Sequence, residues 1–224
     1  MNRSDILEKM NEVAFKGWAT TKIFRVEDIH FQMALMDIAK VIGRPVPNRK
    51  RALLDKLKPL DAENAHPKSL SALAGFDTQP WHVDLSHKLT PARYVLLGCM
   101  ENTAVGGYTE IINRDNFLIE ELRELYFSEP FLVKNGANSF YSTLLTRDSG
   151  YLRFDPGCMI GVTSIARKLI QELTSRELPP TYSHQWSVGD VLIIDNWHML
   201  HRRTKIDNLI DRSLCRVCIE GNET

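Results

Sequence analysis

The sequence predicts an α+β protein in which a β-barrel or a double sheet is braced by N-terminal helices. Two observations predict this class. Helical patterns dominate roughly the first 60 residues, and apolar runs of strand length dominate from residue 81 onward. The 224 residues fit a single domain over 1–224, with its helical part at about 1–60.

The first half of the chain shows two amphipathic segments separated by a short extended one. Ser4 is the predicted N-cap of the first helix, and Gly17 and Gly43 follow the two helices as stop signals. Two prolines exclude a helix beyond Gly43. The predicted elements are a helix over 4–15, a strand over 22–26, a helix over 27–42 and an extended segment over 44–47.

The second half is rich in short apolar runs separated by glycine and asparagine turns. Residues 59–80 carry prolines and a glycine and are predicted to be irregular. Asp115 is a candidate helix N-cap. The predicted strands are 94–100, 108–112, 131–133, 151–154, 188–196 and 213–219, and the predicted helices are 115–127 and 162–173.

Composition limits the classes of function. The 28 basic and 28 acidic side chains cancel, so nucleic acid is not an expected partner. Neither a signal peptide nor a membrane-spanning run is found, and we expect a cytoplasmic protein that acts on a small molecule without membrane contact. Homo-oligomer formation is open. The charged run Arg202-Arg203 is interpreted as solvated surface.

Four cysteines are expected to be reduced thiols. Cys215 and Cys218 form a C-x-x-C, but residues three apart on a strand point to opposite faces. The pair is therefore interpreted as two ordinary, part-buried cysteines.

An H-x-D motif at His82 and Asp84 is the first metal candidate. One residue in eight is acidic, so seven histidines give roughly one H-x-[DE] by chance. On a strand, however, residues two apart face the same side. A distant histidine would then complete the two-His, one-carboxylate facial triad of non-heme Fe(II) oxygenases.

His201 is the predicted third ligand because it follows the buried strand predicted over 188–196. His198, three residues earlier, is its rival. The remaining histidines are interpreted as unrelated to a metal: His30 on a helix, His66 and His184 in loops or turns, and His87 too near Asp84.

Two arginines, Arg212 and Arg216, share one face of the last predicted strand with Leu214 and Cys218. Arginine is seldom buried without a partner, and a carboxylate is its natural bidentate partner. The alternative is an exposed sheet edge.

These motifs together resemble the taurine dioxygenase (TauD/TfdA-like) family over roughly residues 70 to 220. Thr109 lies 27 residues after His82, and Arg212 and Arg216 lie 11 and 15 residues after His201. The matching pieces, in order, are Trp81-His82-Val83-Asp84, Gly106-Gly107-Tyr108-Thr109, Gly189-Asp190, Asp195-Asn196, His201, Arg212 and Arg216.

The resemblance implies a double-stranded β-helix (jelly-roll) fold and an Fe(II)- and 2-oxoglutarate-dependent dioxygenase that uses O2. It implies that iron binds His82, Asp84 and His201. Thr109 and Arg212 would bind the distal carboxylate of 2-oxoglutarate. Arg216 would bind an anionic group of the substrate or assist with the co-substrate.

Departures from the family pattern concern the substrate. The chain is shorter than typical members, which predicts a reduced flap at about 128–160, and Arg202 stands where glycine usually follows the distal histidine. A small, anionic metabolite is the predicted substrate of a hydroxylation or related C–H oxidation. Arg216, Arg153 and Trp81 are its candidate contacts.

Three other functions share parts of this pattern. A JmjC-type protein-modifying oxygenase has H-x-D…H but usually holds 2-oxoglutarate with a lysine on another strand. A catalytically inactive metal-binding barrel would act as an interaction module. A zinc hydrolase on a similar barrel would need neither Thr109 nor Arg212.

Overall fold

The computed structural model describes residues 2–24, 27–48, 51–65, 69–102, 106–147, 150–207 and 212–220. The helices are α1 (Arg3–Lys16), α2 (Asp28–Ile42), α3 (Leu70–Ala74), α4 (Arg114–Phe117), α5 (Arg123–Ser128) and α6 (Ser164–Ser175), with a 3₁₀ turn over Glu120–Leu122. The strands are β1 (Trp18–Lys22), β2 (Arg44–Val46), β3 (Asp55–Leu57), β4 (Tyr94–Asn102), β5 (Thr109–Asn113), β6 (Phe131–Val133), β7 (Phe140–Ser142), β8 (Met159–Gly161), β9 (Tyr182–His184), β10 (Asp190–Asp195), β11 (Met199–Arg203) and β12 (Arg212–Glu220).

The largest sheet contains six antiparallel strands in the order β1-β10-β4-β12-β2, and β3 also pairs with β12. One face of this sheet packs against α1 and α2. Leu96 of β4 and Val217 of β12 share a buried cluster with Phe31 and Leu35 of α2. Each buried side chain of this size contributes about 1.5–3 kcal/mol, so the helix–sheet layer is a major part of the core.

The opposite face of the large sheet meets a second sheet of order β11-β5-β9. Leu97, Leu192 and Leu214 from the large sheet form one buried cluster with Ile111 of β5 and Met199 of β11. A third sheet, β7-β6-β8, packs with α6 on the outer side of the second sheet. The mixed helix–sheet class with antiparallel sheets is therefore confirmed, and the space between the first two sheets holds the candidate site.

The two N-terminal helices begin and end close to their predicted positions. The prediction that Ser4 caps α1 is wrong, because Asn2 accepts from the Asp5 amide and Asp5 in turn accepts from the Asn2 amide. Gly17 ends α1 as predicted, at φ 88°. The range of α2, Asp28–Ile42, departs from its prediction by one residue.

The predicted element bounds differ most from the structure where strands are short or lack an apolar run. The strand predicted over 22–26 lies instead at Trp18–Lys22, and residues 25–26 lie outside the described residues. Residues 151–154 form only an isolated bridge at Leu152. The helix predicted over 115–127 is divided into α4, a 3₁₀ turn and α5, and Asn113 rather than Asp115 caps α4.

The predictions for the Arg202-Arg203 run and for the two cysteines of β12 have different outcomes. Arg202 and Arg203 are partly buried rather than solvated: Arg202 Nε donates to Glu110 Oε2 at 2.7 Å, and Arg203 donates to backbone carbonyls including that of Gly75. Cys215 and Cys218 lie on opposite faces of β12 as predicted, although both are fully buried, and burial raises their thiol pKa values to about 12.

Among the helices in the described part of the chain, none has both the length and the apolar character that crossing a membrane requires.

Candidate metal centre

The H-x-D segment lies directly beside β11. His82 forms an isolated antiparallel bridge with His201, in which each backbone amide donates to the other residue's carbonyl at 3.1 and 3.0 Å. The two imidazole ring centroids are consequently 4.4 Å apart. Backbone pairing therefore holds the two histidines together, although His201 lies 119 residues after His82 in the chain.

Three potential metal ligands converge at this bridge. One ligand atom each from His82, Asp84 and His201 lies within 4.8 Å of the other two. His201 Nε2 is 3.5 Å from Asp84 Oδ2. The three residues are only 5–6% exposed. Within the described residues, no other group of three His, Cys, Asp or Glu side chains meets in this way.

Asn196, at the turn after β10, fixes the backbone of Asp84. The Asp84 amide donates to Asn196 Oδ1 at 2.8 Å, and Asn196 Nδ2 donates to the carbonyls of Asp84 and Ala92 at 3.1 and 2.7 Å. A fully buried side chain with these three bonds leaves the Asp84 backbone little freedom. Asn196, which follows a strand of the large sheet, thus fixes the backbone that carries the Asp84 carboxylate.

The charge states in the cluster suit metal ligation. Burial, followed by the proximity of His201, lowers the pKa of His82 to about 3, so its imidazole is neutral at physiological pH. Pro80 O, 3.0 Å from His82 Nδ1, can only accept, so this nitrogen carries the proton and Nε2 keeps its lone pair. Burial alone would raise the pKa of Asp84, but Arg216 and the two histidines hold it well below its usual range.

Arg216 pairs with the Asp84 carboxylate from the large sheet. Its Nη1 lies 2.5 Å from Asp84 Oδ1, and its Nη2 lies 2.9 Å from Asp55 Oδ2 on β3. Asn48 donates to the other oxygen of Asp55. Arg216 therefore bridges two carboxylates instead of presenting a free guanidinium.

The remaining oxygen of Asp84 shows that a cation fits here. Oδ2 is fully buried and receives no hydrogen bond from the described residues. An uncompensated buried carboxylate oxygen is costly unless it binds a cation. Beside two imidazoles, this donor set matches the facial triad of Fe(II).

A cavity of about 490 Å³ connects this trio to Arg212. Its wall includes His82, Asp84, His201, Thr109 and Arg212. Arg212 is 4% exposed, and none of the described residues accepts a hydrogen bond from it. Burial, then repulsion by Arg203, lowers the pKa of Arg212 to about 10, so its guanidinium remains charged at physiological pH. No carboxylate of the described residues pairs with it.

Gly107 allows the backbone to approach Arg212 closely. A Cβ at this position would lie 2.9 Å from Arg212 Nη1 and 2.8 Å from Ile206 Cδ1, and its φ of 66° disfavours any side chain. Gly107 thus helps to shape the pocket around the Arg212 guanidinium.

Two predicted substrate residues lie elsewhere. Trp81 is buried in the core shared with the third sheet, with the Arg202 guanidinium 4.3 Å from its ring. Arg153 is 1% exposed and donates to the carbonyls of Ser86, Lys88 and Leu89. Neither residue lines the cavity, so their positions give no support to a substrate contact.

Arg153 is expected to matter for stability instead. Arg153→Met leaves three carbonyls without their donors, which should lower the free energy of unfolding by about 3 kcal/mol. For a chain of this size that corresponds to a fall of roughly 6–12 °C in Tm, measurable by calorimetry. The control Arg147→Met removes an exposed pair with Glu124, worth about 0–1 kcal/mol. An Arg153→Met protein as stable as the control contradicts this role.

The other histidines differ in burial and in their distance from the trio. His198 contacts Asp195 and lies outside the trio, so the geometry favours His201 over its rival. His30 is exposed, and His66 lies outside the described residues. His87, although predicted to be unrelated, is buried on the cavity wall. The segment predicted as a flap, 128–160, contains β6, β7 and the first two residues of β8, and it contributes Asp155 to that wall; its role as a flap stays a prediction.

Sequence reasoning missed two side chains that support the site. Asp55 sits within Leu-Leu-Asp-Lys-Leu, where no motif distinguishes it. Trp186 donates an indole hydrogen bond to Thr109 at 3.0 Å. The position of Trp186 just before the buried strand β10 is the one feature of the sequence that points to it.

Known proteins resemble this chain in sequence and in fold. It is 23% identical over 193 residues to the alpha-ketoglutarate-dependent 2,4-dichlorophenoxyacetate dioxygenase of Burkholderia sp. (strain RASC), an alignment that covers 72% of this chain and 65% of that protein. The chain thus spans less than two thirds of that relative's length.

Two solved structures illustrate the similarity of the fold. An asparagine oxygenase in complex with Fe(II), 2S,3S-3-hydroxyasparagine and succinate matches with a TM-score of 0.75 at 16% identity, over 97% of this chain and 78% of that one. A taurine dioxygenase from Burkholderia xenovorans matches with a TM-score of 0.69 at 18% identity, over 99% and 83%.

Residues 13–124 and 163–218 match the family described as taurine catabolism dioxygenase TauD, TfdA. These ranges contain His82, Asp84, Thr109, His201 and Arg212. Because they make up most of the chain, the protein belongs to the TauD/TfdA family.

Proposed function

We propose that this protein is an Fe(II)- and 2-oxoglutarate-dependent dioxygenase that hydroxylates, or oxidises in a related way, a small anionic metabolite. The observation that carries the proposal is one cavity that joins a two-His, one-carboxylate trio to a buried arginine, from which no described residue accepts a hydrogen bond. The sequence relative is itself described as alpha-ketoglutarate-dependent. The two facing antiparallel sheets support a jelly-roll core, and the packing of α1 and α2 supports their role as a brace.

In this proposal His82, Asp84 and His201 hold the iron. When bound with 2-oxoglutarate and O2, the iron supplies oxidation of a substrate C–H bond, coupled to conversion of 2-oxoglutarate into succinate and CO2. Arg216 keeps one oxygen of Asp84 engaged and leaves the other for the metal. The neutral imidazole of His82 needs to lose no proton before it binds a cation.

Arg212 and Thr109 hold the distal carboxylate of the co-substrate. Arg212 offers the charge, and burial strengthens its attraction for an anion because little water competes for it. The hydroxyl of Thr109 adds a hydrogen bond from β5, on the opposite sheet. Holding the dicarboxylate at its far end orients its keto acid end toward the trio, which is a positioning task.

The substrate occupies the rest of the cavity, whose volume falls within the roughly 300–1,000 Å³ common for small-molecule sites. Lys58 on the wall has no ion pair with any residue that the structure describes, which supports an anionic group on the substrate. We propose Arg216 as a further anion contact only if the substrate displaces one of its carboxylates, because both of its ends are paired.

Anaerobic titration of the purified protein with Fe(II) and 2-oxoglutarate tests the proposal. We expect a metal-to-ligand charge-transfer absorption that appears only when both are present. Air should then yield succinate, slowly without substrate and faster when a screened metabolite is accepted. A protein that binds Fe(II) but neither shows the absorption nor releases succinate would be the inactive barrel instead.

A further inference from the structure

A buried hydrogen bond links Trp186 to the proposed co-substrate site. Trp186 Nε1 donates to Thr109 Oγ1 at 3.0 Å, and the two residues are only 4% and 3% exposed. Trp186 belongs to the apolar cluster between the two facing sheets, whereas Thr109 lines the cavity together with Arg212. The indole therefore approaches the threonine hydroxyl from the protein side.

This bond determines what the hydroxyl of Thr109 can do. An indole N–H is a donor only, so the hydroxyl oxygen must accept from it. The hydroxyl proton is then free to point away from the indole, and the bond with Trp186 is the one hydrogen bond that the hydroxyl makes with a described residue. Arg212 is also a donor only. The cavity end formed by these two side chains therefore matches a group that accepts on both oxygens, which is a carboxylate and not a carboxamide.

The indole is itself held in place from two sides. The backbone carbonyl of Trp186 accepts a hydrogen bond from Asn102 Nδ2 at 2.8 Å, which fixes the Trp186 backbone to the end of β4. The ring of His184 lies edge-on at 4.4 Å, and His184 Nδ1 is 3.0 Å from the hydroxyl of Tyr182. A buried donor with such support keeps its direction when the ligand enters or leaves.

We propose that Trp186 is a positioning residue that makes Thr109 a committed hydrogen-bond donor to the distal carboxylate of 2-oxoglutarate. The inference rests on the proposed function, because it concerns the same co-substrate site. Trp186 touches no reacting group; it acts through Thr109. Its effect should therefore fall on co-substrate affinity and should vanish when the hydroxyl is absent.

A double-mutant cycle with the full-length protein tests this coupling. The dissociation constant of 2-oxoglutarate is measured by anaerobic titration of the Fe(II) protein, followed by charge-transfer absorption. Trp186→Phe removes the N–H donor and keeps an aromatic ring in the cluster, although the smaller ring also loses some packing. That loss is common to both Thr109 backgrounds, so the cycle cancels it. We expect about a 3- to 10-fold weaker affinity, the value of one hydrogen bond. In a Thr109→Val background the same change should have no further effect. In Thr109→Ser, which keeps a hydroxyl, the loss should return.

Trp197→Phe is the matched control, because Trp197 Nε1 donates to Pro91 O, also at 3.0 Å, away from the cavity wall. It should lower Tm without changing the dissociation constant. Equal losses from Trp186→Phe in the wild-type and Thr109→Val backgrounds would overturn the inference, as would no loss in either. If the wild-type protein itself shows no charge-transfer absorption, the proposed function fails, a result distinct from a wild-type signal that Trp186→Phe leaves unchanged.

Discussion

Replacing Arg212 with alanine is expected to weaken 2-oxoglutarate binding by roughly 1.5 to 3.5 orders of magnitude, equivalent to about 2–5 kcal/mol. The reason is its environment: the guanidinium is buried, charged and without an acceptor from any described residue. A carboxylate that enters this site gains a desolvated ion pair, and the variant loses it. Anaerobic titration of the Fe(II) protein measures the change directly.

Two variants make the result specific to the guanidinium. Arg212→Lys keeps the charge but loses the planar pair of donors, so its loss should lie between those of wild type and Arg212→Ala. Arg147→Ala removes an exposed arginine and should leave the affinity unchanged. An Arg212→Ala protein with wild-type affinity would remove Arg212 from the co-substrate site.

The sequence predicts the trio from strand spacing, although in the structure His82 forms only an isolated bridge and Asp84 lies in a turn. Two residues separated by one point to the same side of an extended chain, so His82 and Asp84 were expected to converge. The choice of His201 over His198 depends on where β10 ends, and the bridge between His82 and His201 supports it. The spacing of His82 and Asp84 is therefore visible in the sequence, whereas the bridge that brings His201 beside them is a tertiary contact.

Residues that reach the site from short or weakly patterned elements could not be predicted. Asp55 lies on β3, a three-residue strand that pairs with β12 only in the folded sheet. The sequence predicts Arg153 as a substrate contact because an arginine's charge is visible in the sequence. The backbone carbonyls that surround it in the fold are not. Tertiary contacts, which depend on loop paths, decide such cases.

Replacing Asp84 with alanine is expected to lower Fe(II) affinity by more than about 100-fold, beyond the 10- to 100-fold typical for residues that only support a ligand. It removes the one anionic donor of the trio and leaves the two imidazoles. The readout is thermal stabilisation by added metal. At 100 times its dissociation constant, Fe(II) should stabilise the wild type by about 2.7 kcal/mol and this variant hardly at all.

The variant should still fold, because Arg216 keeps its second partner, Asp55, when Asp84 is lost. Removing a buried carboxylate whose Oδ2 receives no hydrogen bond from the residues that the structure describes also removes a desolvation cost. The apo form is therefore expected to melt near the wild-type temperature, so that a lost metal response reflects a lost ligand.

A variant at Asp55 distinguishes a carboxylate that binds the metal from one that only supports a ligand. Both carboxylates pair with Arg216, but only Asp84 belongs to the trio. Asp55→Ala should therefore cost about 10- to 100-fold in metal affinity, acting through Arg216, and should retain the charge-transfer absorption with 2-oxoglutarate. If Asp55→Ala and Asp84→Ala weaken Fe(II) binding equally, the carboxylate of Asp84 acts through Arg216 alone, and the ligand set must be found elsewhere.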